Sequence, residues 1–141
     1  MNPRNRTLLR ILAPLALMGL IFWFSSQPAA AHHAWWVIVG RKLGHVTGYT
    51  LLTGLWAWAL WGVARRPLLW AVLISLAYAC TDEFHQTFVR GRTGTPRDVL
   101  IDAIGMGIAA LLIGMRRSAP TGGGRTHARG EAARSSPARS P

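Results

Sequence analysis

Four long apolar stretches, each holding few charges, dominate this sequence of 141 residues. We place them at about residues 8–26, 43–64, 68–86 and 99–115. About 20 apolar residues in a helix cross the hydrocarbon core of a bilayer, so stretches of this length are typical of transmembrane helices. Only 15% of the residues are charged, below the roughly 25% that is usual in soluble domains. The sequence therefore predicts an all-α integral membrane bundle of four transmembrane helices within residues 1–115, with Gly105 and Gly107 allowing close helix contact.

The net charge of +11 comes largely from arginines that flank the apolar stretches. They stand before the first stretch, between the second and third at Arg65 and Arg66, and in the C-terminal segment. Basic residues at the ends of apolar stretches mark the cytoplasmic side of membrane proteins. We therefore interpret these arginines as membrane flanks and predict both termini in the cytoplasm and no nucleic-acid partner.

The first stretch and the two segments outside the stretches carry three further predictions. The first stretch resembles a secretory signal peptide, because arginines precede it and small residues follow at 28–31. We favour a retained helix, and in either case the next residues emerge outside the cytoplasm. Residues 27–41 are predicted to form a loop with an apolar centre. Residues 116–141, rich in Gly, Ser, Pro, Ala and Arg, are predicted to be a disordered cytoplasmic tail.

Polar and ionisable residues collect at the outer ends of three stretches. The set comprises Lys42, His45, Tyr49, Asp82, Glu83, Gln86, Asp98 and Asp102. Helices that alternate in direction bring these positions to one depth near the outer face. A charge in a bilayer costs about 2.5–3.5 kcal/mol on insertion scales, so such residues must pair or face water. Ionisable residues at membrane depth therefore indicate a functional site.

Two interpretations of this set assign the residues different roles, one structural and one functional. In the structural one, basic residues neutralise the acids and lock the helices together; these are Lys42, Arg90, Arg92 and Arg97. In the functional one, Arg90 and Arg92 bind an anion from a loop that contains two flexible glycines, Gly91 and Gly94. Guanidinium groups match phosphate and carboxylate geometry, and glycine allows close backbone approach.

A metal site is the third interpretation of the polar residues. Suitable ligand types are His45, Asp82, Glu83, His85 and Asp98. No spacing such as H-E-x-x-H is present. The sequence thus predicts no metal and no cofactor, and the single cysteine, Cys80, excludes an intrachain disulfide.

These residues resemble the VanZ-like family of bacterial membrane proteins, named for a teicoplanin-resistance protein. The family's approximate pattern K-x-x-H-x-x-x-Y-x-x-L is matched by Lys42, His45, Tyr49 and Leu52. Its second pattern, D-E-x-x-Q-x-F-x-P-G-R-x-G-x-x-x-D-x-x-x-N-x-x-G, is matched by Asp82, Glu83, Gln86, Phe88, Gly91, Arg92, Gly94, Asp98 and Gly105. The resemblance covers about residues 10–115, and Ser25, Ser26 and Gln27 also fit it. Arg90 replaces the usual proline and Asp102 the usual asparagine, and one hypothesis is that these two form a compensating pair.

The resemblance implies a multi-pass protein of the bacterial inner membrane, in a family with members linked to glycopeptide tolerance, and it implies no particular reaction. Our main hypothesis is that the protein binds or processes an anionic, lipid-linked envelope molecule at the outer face, with membrane lipids as partners. Ligand-binding candidates are Lys42, His45, Tyr49, Asp82, Glu83, Gln86, Arg90, Arg92 and Asp98. His45 is a candidate proton carrier, and Asp82 or Glu83 is a candidate base. The alternatives are a non-enzymatic scaffold or interaction protein, and a small transporter acting as a homo-oligomer.

Overall fold

The computed structural model describes residues 3–29 and 35–118, and these residues form four α-helices and no strand. The helices are α1 (Pro3–Ser25), α2 (Trp35–Leu60), α3 (Pro67–Gln86) and α4 (Pro96–Ser118). The predicted all-α class is confirmed. Of the disordered tail predicted over 116–141, residues 119–141 lie outside the described residues, and residues 116–118 belong to α4.

Three of the four helices are long and apolar enough to cross a membrane. They are α1 from Thr7, α3 and α4. The 26 residues of α2 are also long enough, but Gly, Thr and His interrupt their apolar character. The fourth membrane span therefore stays a prediction.

Large apolar side chains cover the outside of the bundle. Phe24 is 57% exposed and Leu111 is 67% exposed. At the buried helix contacts the residues are often small, as at Ala57, Ala71 and Ala79. Soluble proteins rarely expose so much contiguous apolar surface, and small residues at helix contacts are typical of membrane bundles. The outer surface of this bundle is suited to lipid.

Local sequence sets the helix boundaries. Pro67 and Pro96 occupy the first positions of α3 and α4, where a proline's missing N–H costs nothing. Gly62, with a φ of +80°, lies in the turn that follows α2, which is why this helix stops before the predicted residue 64. The prediction of a loop over 27–41 was wrong in its second half. The helix begins at Trp35 and continues into the second stretch, because the interruption at Gly40, Arg41 and Lys42 contains no proline to stop it.

The helices alternate in direction, as the sequence analysis predicted. The guanidinium of Arg10 in α1 lies 5.2 Å from the ring centroid of Trp58, and that of Arg117 in α4 lies 3.8 Å from the ring centroid of Trp61. The start of α1 and the ends of α2 and α4 therefore meet at one end of the bundle. The opposite end gathers the end of α1, the first half of α2, the end of α3 and the start of α4.

Gly105 allows α4 to approach α2 closely. A Cβ added there would collide with the backbone oxygen of Val46, and the Thr50 hydroxyl donates to the Gly105 carbonyl at 2.9 Å. The prediction for Gly107 was wrong, because a Cβ at that position meets nothing within 4 Å. The two glycines lie two positions apart, on different faces of α4, and only Gly105 points to α2.

Candidate functional site

The polar residues singled out in the sequence converge at one end of the bundle. His45 and Asp102 form the most direct link between α2 and α4, since the His45 Nδ1–H donates to Asp102 Oδ1 at 2.9 Å. Asp102 is completely buried and its Oδ2 has no hydrogen-bond partner among the described residues. The ring of Tyr49 stacks along His45, with centroids 6.3 Å apart. The hypothesis that Asp102 pairs with Arg90 was therefore wrong, because its partner is His45.

Asp82 and Glu83 are the two buried acids of α3, with 2% and 5% exposure. The Gln86 amide nitrogen donates to Asp82 Oδ2 at 3.0 Å and to Glu83 Oε1 at 3.3 Å. The Ser25 hydroxyl of α1 also donates to Asp82 Oδ2, at 2.8 Å. Glu83 Oε2 accepts the Thr95 backbone N–H at 3.1 Å. Asp82 Oδ1 has no partner in the described part of the chain.

Arg92 joins the loop between α3 and α4 to the end of α1. Its guanidinium donates to the carbonyls of Phe24 at 2.8 Å and Gln27 at 3.0 Å, and to Gln86 Oε1 at 3.3 Å. The two carbonyls lie at or just beyond the C-terminal end of α1, where a positive charge is favourable. An arginine has five N–H groups, so two remain for another acceptor.

Two glycines shape the loop that carries Arg92. Gly91 has a φ of +75°, and beside it the Ala29 N–H donates to the Arg90 carbonyl at 3.2 Å. A side chain at Gly94 would collide with the backbone of Glu83. The loop therefore lies directly on the end of α3 and against the segment that follows α1, which fixes the position of Arg92.

Lys42 and Asp98 form the outer ion pair of the site, with Nζ and Oδ1 3.5 Å apart. The side chains are 51% and 32% exposed, and exposed pairs contribute only about 0–1 kcal/mol. Asp98 lies in the first turn of α4, where a carboxylate favours the helix. Its Oδ2 also accepts the Thr95 hydroxyl at 2.9 Å.

A polar cavity of about 160 Å³ lies among these residues. Its polar lining includes Arg41, Lys42, His45, Glu83, Gln86, Arg92 and Asp98. An apolar groove of about 620 Å³ runs between α1 and α2. Arg41, His45 and Arg92 line both spaces, so the groove and the cavity share a basic boundary.

Arg41 is a site residue that the sequence analysis missed. It is exposed, and no ion pair or hydrogen bond holds it within the described residues. The pKa of Arg92 is lowered from its ordinary value. The main cause is partial burial, and the second is the positive charge of Arg41. The spacing i, i+4 from Arg41 to His45 was the available signal, because it puts both on one face of α2.

Some predicted site residues do not enter the cavity. The side chain of Arg90 is exposed and only its backbone carbonyl makes a contact. His85 Nε2 lies 3.2 Å from the Ser26 hydroxyl, away from the other candidate metal ligands. Tyr49 lines the groove and not the polar cavity. The predicted arginine–carboxylate network is also missing from the described residues, whose ion pairs are Lys42–Asp98 and His45–Asp102.

The structure also gathers three of the five candidate metal ligands. A ring nitrogen of His45 and one carboxylate oxygen each of Asp82 and Glu83 lie within 4.8 Å of one another. Asp98 and His85 are not part of this group. The three ligands come from α2 and α3, which explains why no linear spacing revealed them.

A comparison of the chain with known families gives one match. The family model described as VanZ/LLP1 covers residues 10–117, which contain every site residue described above. No curated protein and no solved structure matches the chain.

Proposed function

The chain belongs to the VanZ/LLP1 family, and from this premise we propose that it is a membrane protein that binds an anionic, lipid-linked molecule. The site would take the anionic group in the polar cavity and the apolar chain in the groove between α1 and α2. We place this site at the outer face of the bacterial inner membrane, with both termini in the cytoplasm, following the distribution of arginines. Binding of an envelope precursor at this face would connect the protein with glycopeptide tolerance.

The proposal rests on one observation, that the apolar groove and the polar cavity adjoin each other. An apolar groove of about 620 Å³ opens beside a polar cavity of about 160 Å³, with Arg41, His45 and Arg92 on both. Pockets of about 300–1,000 Å³ are usual for small ligands. A molecule that fits both spaces must be apolar along most of its length and charged at one end, as a lipid is.

The basic side chains at the boundary favour an anion. Arg41 has no partner among the described residues, and Arg92 keeps two free N–H groups beside it. The positive charge of Arg41 helps to lower the pKa of Arg92, and a negative charge between the two guanidinium groups would stabilise both. Lys42 is a weaker candidate, because Asp98 already neutralises it at 3.5 Å.

Glycines of α2 keep the groove open. Gly40, Gly44 and Gly48 recur every four residues, so they share the face that lines the groove. A Cβ at Gly44 would meet no atom within 4 Å, and one at Gly48 would meet only the Ile21 side chain. The space beside Gly44 is therefore large enough for an alkyl chain.

The contacts of Arg92 favour one alternative, a scaffold. Three of its N–H groups hold the end of α1 and Gln86, so part of its role is structural. The scaffold alternative does not account for Arg41, which faces the same cavity and has no partner within residues 3–29 and 35–118. The homo-oligomeric transporter stays a hypothesis, and the contacts within one chain do not favour it.

Native mass spectrometry tests the proposal on the full chain purified in detergent. The protein is mixed with a polyprenyl phosphate, phosphatidylglycerol or phosphatidylcholine, and the bound fraction is compared with that of Arg41→Gln. We expect wild type to hold an anionic lipid, and Arg41→Gln to hold at least fivefold less of it while phosphatidylcholine binding is unchanged. Preference for the polyprenyl phosphate would identify a lipid-linked precursor, whereas preference for phosphatidylglycerol would identify a bulk lipid.

Arg97→Gln is the matched control, since it removes an exposed positive charge from the start of α4 and lies outside both spaces. Its anionic lipid binding should equal that of wild type. Equal losses in both variants would show that net charge alone attracts the lipid, and equal binding of all three lipids by wild type would refute the proposal.

A further inference from the structure

Two adjacent acids at the end of α3 are buried. Asp82 and Glu83 are 2% and 5% exposed, and neither is in an ion pair within the described residues. The positive charge of Arg92 reaches them only through the neutral amide of Gln86. A buried charge costs several kcal/mol unless a counter-charge or a proton compensates it.

The partners of these acids leave oxygen atoms available. Asp82 Oδ2 accepts from Ser25 and Gln86, but its Oδ1 is buried with no partner. One oxygen of Asp82, one of Glu83 and a ring nitrogen of His45 lie within 4.8 Å of one another. Donors on one ion with bonds of about 2.0–2.2 Å are at most about 4.4 Å apart, so a small contraction is enough to close the site.

Asp102 positions the imidazole for this group. The His45 Nδ1–H donates to Asp102 Oδ1 at 2.9 Å, which leaves Nε2 as the nitrogen with a free lone pair. A carboxylate bonded to the far nitrogen of a histidine fixes its tautomer and raises its basicity as a metal ligand. Asp102 is completely buried, so it holds this orientation without competition from water.

We propose that His45, Asp82 and Glu83 bind a divalent transition-metal ion such as Zn²⁺ or Mn²⁺. One imidazole nitrogen and two carboxylate oxygens suit these ions better than Mg²⁺ or Ca²⁺, which prefer oxygen alone. His45 and Glu83 also line the polar cavity, which gives the ion a route of entry. The remaining coordination positions would hold water or an anionic group in the cavity. This site rests on the three side chains and not on the proposed lipid.

Mn²⁺ alone is the probe. The full chain without an affinity tag is stripped with a chelator in detergent, and Mn²⁺ is titrated while the electron paramagnetic resonance signal of the free ion is followed. We expect one bound Mn²⁺ per chain, with a nitrogen coupling from one imidazole in the electron spin echo envelope modulation. His45→Gln should abolish that coupling, and Asp82→Asn and Glu83→Gln should each weaken binding at least tenfold.

His85→Gln is the control, because it alters a histidine at the same end of the bundle that lies outside the group and outside the polar cavity. Its Mn²⁺ affinity should stay within threefold of wild type. The wild-type measurement decides the matter even when a ligand variant does not fold. Absence of a stoichiometric site at millimolar Mn²⁺, or a bound ion without nitrogen coupling, would overturn the proposal and leave a proton as the compensating charge. Because no lipid is added, failure here is separate from failure of lipid binding.

Discussion

The hydroxyl of Ser25 donates a 2.8 Å hydrogen bond to the carboxylate of Asp82, 57 positions further along the chain. Ser25 is the last residue of α1, and both side chains are buried. The bond ties α1 to α3, which α1 otherwise touches far less than it touches α2. The position of α1 against α3 therefore depends on a small number of polar contacts.

Replacing Ser25 with alanine removes one of the two donors to Asp82 Oδ2. Because Asp82 stays buried, we expect the free energy of unfolding to fall by about 1–3 kcal/mol. Reversible unfolding in detergent would measure this loss. Ser118→Ala is the control, since that hydroxyl is exposed and bonds only within its own helix; an equal loss in the control would contradict the role of the Ser25 bond.

Replacing Arg92 with lysine keeps the charge and loses the planar group that reaches two carbonyls at once. We expect the apparent melting temperature to fall, with a loss of about 1–2 kcal/mol because the contacts are partly exposed. A thermal shift measured on the purified protein would show it. Arg90→Lys should leave the melting temperature unchanged, since the Arg90 side chain is exposed, and a shift there as large as for Arg92 would argue against a specific contact.

Much of this arrangement was predictable because it follows from periodicity. The apolar stretches predicted the helices, and alternating direction predicted that Lys42, His45, Asp82 and Asp98 would meet at one end. Which side chains pair with each other at that end was not predictable, because it depends on how each helix is rotated and on helix separations to within a few ångströms. That is why Asp102 was assigned to Arg90 and not to His45, and why Arg41 was missed as a residue of the site.

Gly44→Leu should fill the groove between α1 and α2. A Cβ at Gly44 meets no atom within 4 Å, so the substitution should leave folding intact while it excludes an alkyl chain. We expect at least a fivefold loss of bound anionic lipid in native mass spectrometry. Gly107→Leu adds the same side chain to an exposed face of α4 and should bind lipid as wild type does; equal retention by both variants would place the lipid elsewhere.

Asp102→Asn tests how His45 is held. An amide oxygen can still accept the Nδ1–H but is a weaker acceptor, so we expect Mn²⁺ affinity to fall about tenfold. The imidazole coupling should persist, because His45 itself is unchanged. Loss of that coupling would show that Asp102 acts by another route, and an unchanged affinity would show that it does not act on the metal site.

Gly105→Ala should separate α2 from α4. The added methyl would collide with the backbone at Val46, which cannot move as a side chain can. We expect a loss of stability of about 1–3 kcal/mol, typical of overpacking, measured by unfolding in detergent. Gly107→Ala, with open space around it, should be neutral or slightly stabilising, and a similar loss there would show that the collision at Val46 is not the cause.

The bonds at the end of α1 also have a consequence for the order in which this protein is made. The carbonyls of Phe24 and Gln27 accept hydrogen bonds from Arg92, which is synthesised more than 60 positions later. The partner of Ser25, Asp82, is synthesised 57 positions after it. Until α3 has been synthesised, α1 can pack only on α2, and the polar groups at its end have no donor or acceptor from later helices. A chain that stops before α3 would therefore hold its first helix by the α2 contacts alone, and would be open to quality-control proteases.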